Sequence, residues 1–518
     1  VLCIDEVIQH FLEKGLEEGI VNNKVMNRAG AIMMNVNTGE IIGMAVKGGY
    51  DLNNPFEIAD AEKKAQIEAL PEEERAKAKA EALEAQWRNK LVSDTYMPGS
   101  VYKQITTAMA FEENLIDEKT NFNCTGSFVP FPGARPIRCH KHGGHGSQVF
   151  ARAFCNSCNP AFIQVGQKIG PERFYKYYQA FGFTEKTGID LPGEANGIFF
   201  SKDGHMGPMD LAVASFGQNF GITPIQMVTA AAAIANGGYI VKPHVVKQIV
   251  ASDGNIIKSF DTVRKRQAIS EQTSKRICAL LTQNAIDGGA KNGYVPGYRI
   301  GGKTGTTQKI GDSGPGGMDY ISSFCGFAPG DNPQYILLIY YDTPKGPSYY
   351  GAFVAAPTFA KVMQDALPYL GVERKYTDEE MANLDIQVPF LVGSSVDKAK
   401  LQAINLQLNP VIYGSGETVI SQVPEVSTKM PKGGKIVLYT DDSAANSKAV
   451  VPNFAGMTLS AANREASAAK VNIIIKGAAL SSLGCVCASQ NVAAGTEVSP
   501  GTVVTLTFSQ KKSEQHRD

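Results

Sequence analysis

From Val1 to about Leu370 this chain mixes two hydrophobic patterns, continuous apolar runs and apolar positions spaced by three and four. Gly30-Ala31-Ile32-Met33-Met34-Asn35-Val36 and Tyr335-Ile336-Leu337-Leu338-Ile339-Tyr340-Tyr341 are runs of the first kind and predict strands. Asn37-Thr38-Gly39-Glu40 is a tight-turn sequence, and Ile41-Ile42-Gly43-Met44-Ala45 returns as the hairpin partner. Helical spacing follows Pro98-Gly99, where Ile105, Ala108, Met109 and Phe111 form the buried face of a helix. Between Ala59 and Ala85, Ala, Glu and Lys dominate, which reads as a solvated helical insertion without chemistry.

Past Leu370 the pattern changes. The stretch from Arg374 to Asn383 reads as a charged linker, and beyond it the sequence repeats once. Val388-Pro389-Phe390-Leu391-Val392-Gly393 is echoed by Val451-Pro452-Asn453-Phe454-Ala455-Gly456, 63 residues on. Each copy runs through an alanine-containing amphipathic stretch and β-branched residues to Ser-Gln (Ser421-Gln422, Ser489-Gln490). A glycine-bearing turn and an alternating strand close each copy, so the repeat implies two small α+β modules. The expected organisation is one large α/β (α+β) domain over 1–372 and a linker over 373–384. Modules then occupy 385–442 and 449–510, with a polar tail over 511–518.

At 518 residues the chain has room for about two to four domains. Fifty Lys+Arg balance fifty Asp+Glu, so composition points to no nucleic acid and no anionic surface as partner. No run of ~18 apolar residues is present. The opening Val1-Leu2-Cys3-Ile4-Asp5 reads as the inside of a domain, so a membrane anchor is expected upstream. Nine cysteines are too few for a disulfide scaffold. Four of them, Cys124, Cys139, Cys155 and Cys158, interleave with His140, His142 and His145. Thiolates and imidazoles bind zinc, but only Cys155-x-x-Cys158 has a ligand-like spacing. Buried thiols beside solvated histidines, or a regulatory disulfide, account for the run as well, and no metal or cofactor is assigned. Cys485-Val486-Cys487 alternates across a strand and reads as structural.

Three short motifs carry the chemistry. Ser100 lies three residues before Lys103, in the first helical turn, where an amine can face a hydroxyl and the helix dipole favours negative charge. A serine needs such a base to become a nucleophile. The spacing alone is weak, since Ser395/Lys398, Ser467/Lys470 and Ser509/Lys512 share it. Ser157-Cys158-Asn159 follows on a loop entering a helix, offering a hydroxyl and a carboxamide to one cleft. Lys303-Thr304-Gly305-Thr306 reads as a strand able to pair with a bound peptide and meet its carboxylate, with Tyr320 to Ala328 as its antiparallel neighbour. Lys186-Thr187-Gly188 has the same letters in a turn-rich context and reads as structural.

The order S-x-x-K, S-x-N, K-T-G at wide intervals resembles the motif set of penicilloyl-serine transferases. Asn35 to Ala45, Tyr96-Met97-Pro98-Gly99-Ser100 and Gly221-Ile222-Thr223-Pro224-Ile225-Gln226 are similar to the transpeptidase domain of class B penicillin-binding proteins. The 63-residue repeats resemble PASTA modules, and the pairing is most similar to the sporulation type of spore-forming Firmicutes. The resemblance covers essentially the whole chain and lacks that family's N-terminal membrane helix and pedestal domain. It implies a β-lactamase-like fold, an antiparallel sheet with a helical subdomain, and peptidoglycan D,D-transpeptidase activity outside the cytoplasmic membrane without a cofactor. By the same resemblance Ser100 is the nucleophile, Lys103 its base, and Ser157 and Asn159 relay the proton and orient the peptide. Lys303, Thr304, Gly305 and Thr306 bind the terminal carboxylate, and the Ser100 and Thr306 N–H groups form the oxyanion hole. Stem peptides and β-lactams are the implied ligands, and a glycosyltransferase and a thiol reductase the implied partners.

Cys158 inside the second motif departs from the family pattern. Paired with Cys139 across Gly143-Gly144 and Gly146, it would make a disulfide that blocks the cleft until reduced. Two other readings stay open. A β-lactamase or β-lactam sensor shares the motifs, with Glu185 and Glu194 as candidate deacylating bases, and a non-catalytic PASTA protein would use the repeats alone.

Overall fold

The computed structural model describes residues 1–199, 205–309, 318–377, 380, 385–431, 434–441, 448–477 and 485–510. The expected 511–518 tail and residues 378–379 and 381–384 of the expected 373–384 linker lie outside them. The chain divides into two compact units, Val1–Val295 with Arg299–Val372, and Pro296–Tyr298 with Glu373–Asp518.

The first unit is built on a five-stranded antiparallel sheet. Its strands are β1 (Ala29–Asn35), β2 (Ile41–Val46), β3 (Gly301–Gln308), β4 (Tyr320–Ala328) and β5 (Tyr335–Asp342), in the order β3-β4-β5-β1-β2. Both faces of the sheet are covered, which is why β1 and β5 read as continuous apolar runs rather than alternating ones. Ile336, Leu338 and Tyr340 join the main core on one face, while on the other the Tyr341 hydroxyl meets the Thr358 hydroxyl at 2.9 Å. The β1–β2 turn forms as expected. Asn35 Oδ1 accepts from the Asn37 and Thr38 N–H groups at 3.0 and 3.2 Å, and Gly39 takes φ +82°.

Helices α1 (Glu6–Asn22), α2 (Lys103–Glu112), α3 (Asn159–Ile169), α4 (Pro224–Ala235), α5 (Glu271–Asp287) and α6 (Ala356–Tyr369) frame the sheet and the site. Every residue of α4 is buried, and its start is fixed by Thr223, whose Oγ1 accepts from the Gln226 N–H at 3.2 Å. Helix α2 departs from expectation. Instead of one apolar face it is buried from Lys103 to Phe111, because it runs through the core rather than over it. The Ala59–Ala85 insertion is two helices, Ala61–Glu68 and Glu72–Trp87, broken at Pro71, whose ring cannot continue the first.

In the second unit each repeat folds into one helix, a three-stranded mixed sheet and a two-stranded antiparallel pair. Asn409–Tyr413 runs parallel to Lys435–Tyr439, with Ser421–Val423 antiparallel on its other side. Asn472–Gly477, Val503–Gln510 and Cys485–Gln490 repeat that arrangement. The shared Ser-Gln signature has a structural purpose. Gln422 accepts from the Leu391 N–H at 2.7 Å and donates to Pro389 O at 2.8 Å. Gln490 does the same to the Phe454 N–H at 2.8 Å and Pro452 O at 3.0 Å. Each glutamine thus clamps the backbone of its own Val-Pro entry segment.

Candidate active site

Ser100 sits in a 3₁₀ turn, Gly99–Tyr102, that precedes α2 rather than in the first α-helical turn. Three residues per turn stack positions i and i+3, so the tighter helix keeps Ser100 and Lys103 on one side. The turn is pressed between two backbones. The Gly99 N–H donates to Gly217 O at 2.9 Å, and a Cβ on Gly99 would lie 1.9 Å from Thr307 Oγ1 on β3. On β3, a Cβ on Gly305 would lie 2.3 Å from Ser323 Oγ and 3.1 Å from Pro98 O. The glycines of the first and third motifs are therefore what lets the strand and the Ser100 turn touch.

The three motifs meet at one hydroxyl. Lys303 Nζ donates to Ser157 Oγ at 3.0 Å, and Lys103 Nζ lies 3.1 Å from the same oxygen. Lys103 also donates to Ser157 O and Asn159 Oδ1, both at 2.7 Å. Ser157 is held at φ +50°, a left-handed conformation uncommon for a residue with a side chain. Both lysines are fully buried. Burial pushes the Lys103 amine well below the usual lysine range, and the Lys303 charge adds to this. Burial also lowers Lys303, to about 8. Lys103 Nζ thus faces three oxygens of the second motif, Ser157 O, Ser157 Oγ and Asn159 Oδ1. Lys303, Ser157 and Lys103 form a continuous row at hydrogen-bond distance.

These groups border a cleft of about 440 Å³ lined by Ser100, Ser157, Asn159, Thr304 and Thr306. Thr306 Oγ1 accepts from the Gly351 N–H at 2.9 Å, which leaves its own proton free to donate. The structure also brings residues to the rim that the motifs did not flag, among them His140, His145, Tyr350 and Phe353. His140 and His145 come from the Cys/His run, and Tyr350 and Phe353 from the start of the helix Gly351–Val354, far along the chain.

The second Lys-Thr-Gly copy lies elsewhere. Thr187 N–H and Oγ1 and the Gly188 N–H all donate to the Glu194 carboxylate, at 2.6, 2.6 and 3.0 Å, and Lys186 is exposed. That arrangement is a capped turn. Glu194 is committed to it, and Glu185 pairs with Arg266 and Lys265, so neither candidate deacylating base borders the cleft. Of the stray S-x-x-K matches, Ser395 precedes the helix Val396–Asn405 and Lys470 follows the helix Leu459–Ala468 at φ +58°. Lys512 lies outside the described residues.

The cysteine region differs from the sequence expectation. Cys155, with the ligand-like spacing, stays apart, whereas Cys124, Cys139, His145 and Cys158 place their ligand atoms within 4.8 Å of one another. His140 and His142 are exposed as expected, but His145 is not merely solvated, since its Nδ1 lies 3.6 Å from Cys139 Sγ. Cys139 and Cys158 are free thiols. Hydrogen bonding between them lowers Cys139 and raises Cys158.

Residues 29–364 match the family described as penicillin binding protein transpeptidase domain. The chain belongs to that family. Residues 386–442 and 449–510 match PASTA domains. The chain is similar to stage V sporulation protein D of Bacillus subtilis, 36% identical over 446 residues, covering 85% of this chain and 64% of that protein. It is similar also to peptidoglycan D,D-transpeptidase FtsI of Buchnera aphidicola, 29% identical, covering 71% of this chain and 58% of the relative. It therefore spans somewhat under two thirds of the length of these relatives. Among solved structures it resembles penicillin-binding protein 3 of Mycobacterium tuberculosis complexed with aztreonam, 26% identical with a TM-score of 0.59. That likeness covers 72% of this chain and 80% of the other. The apo transpeptidase domain of Burkholderia pseudomallei penicillin-binding protein 3 shares the fold, at 23% identity and a TM-score of 0.56, covering 72% and 96%.

Proposed function

We propose that this protein is a peptidoglycan D,D-transpeptidase working through a serine acyl-enzyme. The observation that carries the reading is the meeting of Lys103 and Lys303 on the Ser157 hydroxyl, at 3.1 and 3.0 Å, in a cleft that also holds Ser100. Neutral Lys103 takes the Ser100 proton as its oxygen attacks the penultimate D-Ala carbonyl of a stem peptide. The Ser100 and Thr306 N–H groups receive the developing oxyanion. Ser157 returns a proton to the departing D-Ala nitrogen, drawing on Lys103, while Asn159 orients the peptide amide. Lys303, Thr304 and Thr306 hold the terminal carboxylate, and Gly305 lets the peptide backbone lie along β3. An amine from a neighbouring strand then resolves the ester, giving the cross-link, and β-lactams leave Ser100 acylated.

The reaction belongs on the outer face of the cytoplasmic membrane, where the wall is assembled. The sporulation setting is carried over from the Bacillus subtilis relative. The commitments of Glu185 and Glu194 favour transfer over the hydrolysis of a β-lactamase. Labelling by a fluorescent penicillin tests the reading. Wild type should label and Ser100→Ala should not, and absence of labelling in wild type would leave the PASTA modules as the working part.

A further inference from the structure

The cleft holds a charge that the proposed acylation leaves unused. Among the described residues lining it, Asp287 is the one carboxylate. It is the last residue of α5, so it stands at the negative end of a 17-residue helix whose last turn carries no basic side chain. The cation paired with it comes from elsewhere in the chain. Arg152, on the helix Phe150–Cys155, places Nη1 3.6 Å from Asp287 Oδ1. Both side chains are about half exposed, and such a pair is weak enough for a ligand to open. The backbone beside the pair is fixed. Asn284, fully buried, donates to Gly302 O at 2.7 Å and accepts from the Gly289 N–H at 3.1 Å. The same N–H reaches Cys155 O at 3.2 Å, and a Cβ on Gly289 would lie 3.8 Å from Thr304 Oγ1. The turn after Asp287 therefore lies against the third motif. Burial pushes the Cys155 thiol up to about 11 and Asp287 adds to this, so the carboxylate's field is felt inside the cleft.

We propose that Asp287 and Arg152 form the acceptor subsite, Asp287 binding the ammonium and Arg152 a carboxylate of the second stem peptide. The inference rests on the transpeptidase reading, which assigns residues to the donor peptide and none to the acceptor. A free amine is mostly ammonium near neutral pH, and a charged Lys303 repels it. Asp287 supplies the opposite sign at the cleft wall. Two opposite charges 3.6 Å apart match an acceptor that carries amine and carboxylate on one carbon. The second centre of a diamino-dicarboxylic acid does so, whereas a lysine-type side chain offers an amine alone. Such a zwitterion replaces the contact between Asp287 and Arg152 and leaves neither charge unpaired. The bound ammonium gives one proton to water before it reacts. The free amine then forms the C–N bond as the Ser100 ester C–O bond breaks, and its surplus proton passes to the Ser100 oxygen.

The full chain would be acylated with a thioester analogue of the donor peptide, and the acyl-enzyme partitioned between water and added D-methionine, D-methioninamide or methanol. The ratio of transfer to hydrolysis does not depend on how fast the acyl-enzyme forms, so it isolates the acceptor. Wild type should favour D-methionine over its amide. Asp287→Asn should lower the transfer ratio for both amines by about tenfold and leave that for methanol in place, with Asp287→Glu restoring most of the loss. Arg152→Ala should remove most of the preference for D-methionine while keeping transfer to the amide. Amine transfer unmoved by Asp287→Asn, or methanol falling in step with the amines, would reduce the pair to a surface contact and overturn the subsite. A preference for D-methionine that survives Arg152→Ala would overturn its carboxylate half. A wild-type chain that forms no acyl-enzyme, or only hydrolyses it, would instead overturn the transpeptidase reading and the subsite with it.

Discussion

A lysine with no exposed surface changes what a nearby hydroxyl can do, because its amine has no water to keep it charged. Lys103→Ala should slow penicillin acylation by about a thousandfold or more, within the span of general-base effects. The two lysines should also set the pH profile from opposite sides. A cation keeps its charge below its pKa, so Lys303, lowered by burial to about 8, loses its hold on a carboxylate above that pH. Lys103, also held well below the usual lysine range by burial, is protonated and useless as a base on the acid side. The second-order acylation rate should therefore trace a bell whose alkaline limb falls near pH 8. Lys303→Arg, which cannot deprotonate in this range, should flatten that limb, and an unchanged limb would remove Lys303 from carboxylate binding.

At the scale of elements, β3 lies directly against the Ser100 turn. Gly305→Ala would set a methyl 2.3 Å from Ser323 Oγ and 3.1 Å from Pro98 O, so labelling should slow by at least about tenfold. In the PASTA modules, Gln490→Ala leaves the Phe454 N–H and Pro452 O without their partner, a loss of about 1–3 kcal/mol. A lowered melting transition should show it, with Gln422→Ala giving the matching effect in the first module. Much of this was readable in advance. β1 and β5 announce themselves because burial on both faces demands uninterrupted apolar side chains, and Lys303 outranks Lys186 because only it has a partner strand. The 3₁₀ turn at Ser100 was not readable, since the pressure of Thr307 and Gly217 that tightens it comes from remote chain. Which members of the Cys/His run converge, Cys124, Cys139, His145 and Cys158 rather than Cys155, was not readable for a related reason. Their spacing is set by two strand pairings and a distant helix start, so no local motif encodes it.

For the molecule as a whole, the cleft is lined by residues of the first unit alone. A fragment ending at Val372 should accordingly label with penicillin at a rate within about twofold of the full chain, as expected for an independently cored domain. A much slower fragment would mean that the repeats support the site. Helix α4 adds a different use. With all its residues inside and its first turn capped, its amides should exchange with deuterium only when the whole first unit opens. That helix is a built-in clock for global unfolding, and its slowing after penicillin treatment would report how far a covalent bond at one serine is felt as mechanical tightening through the interior.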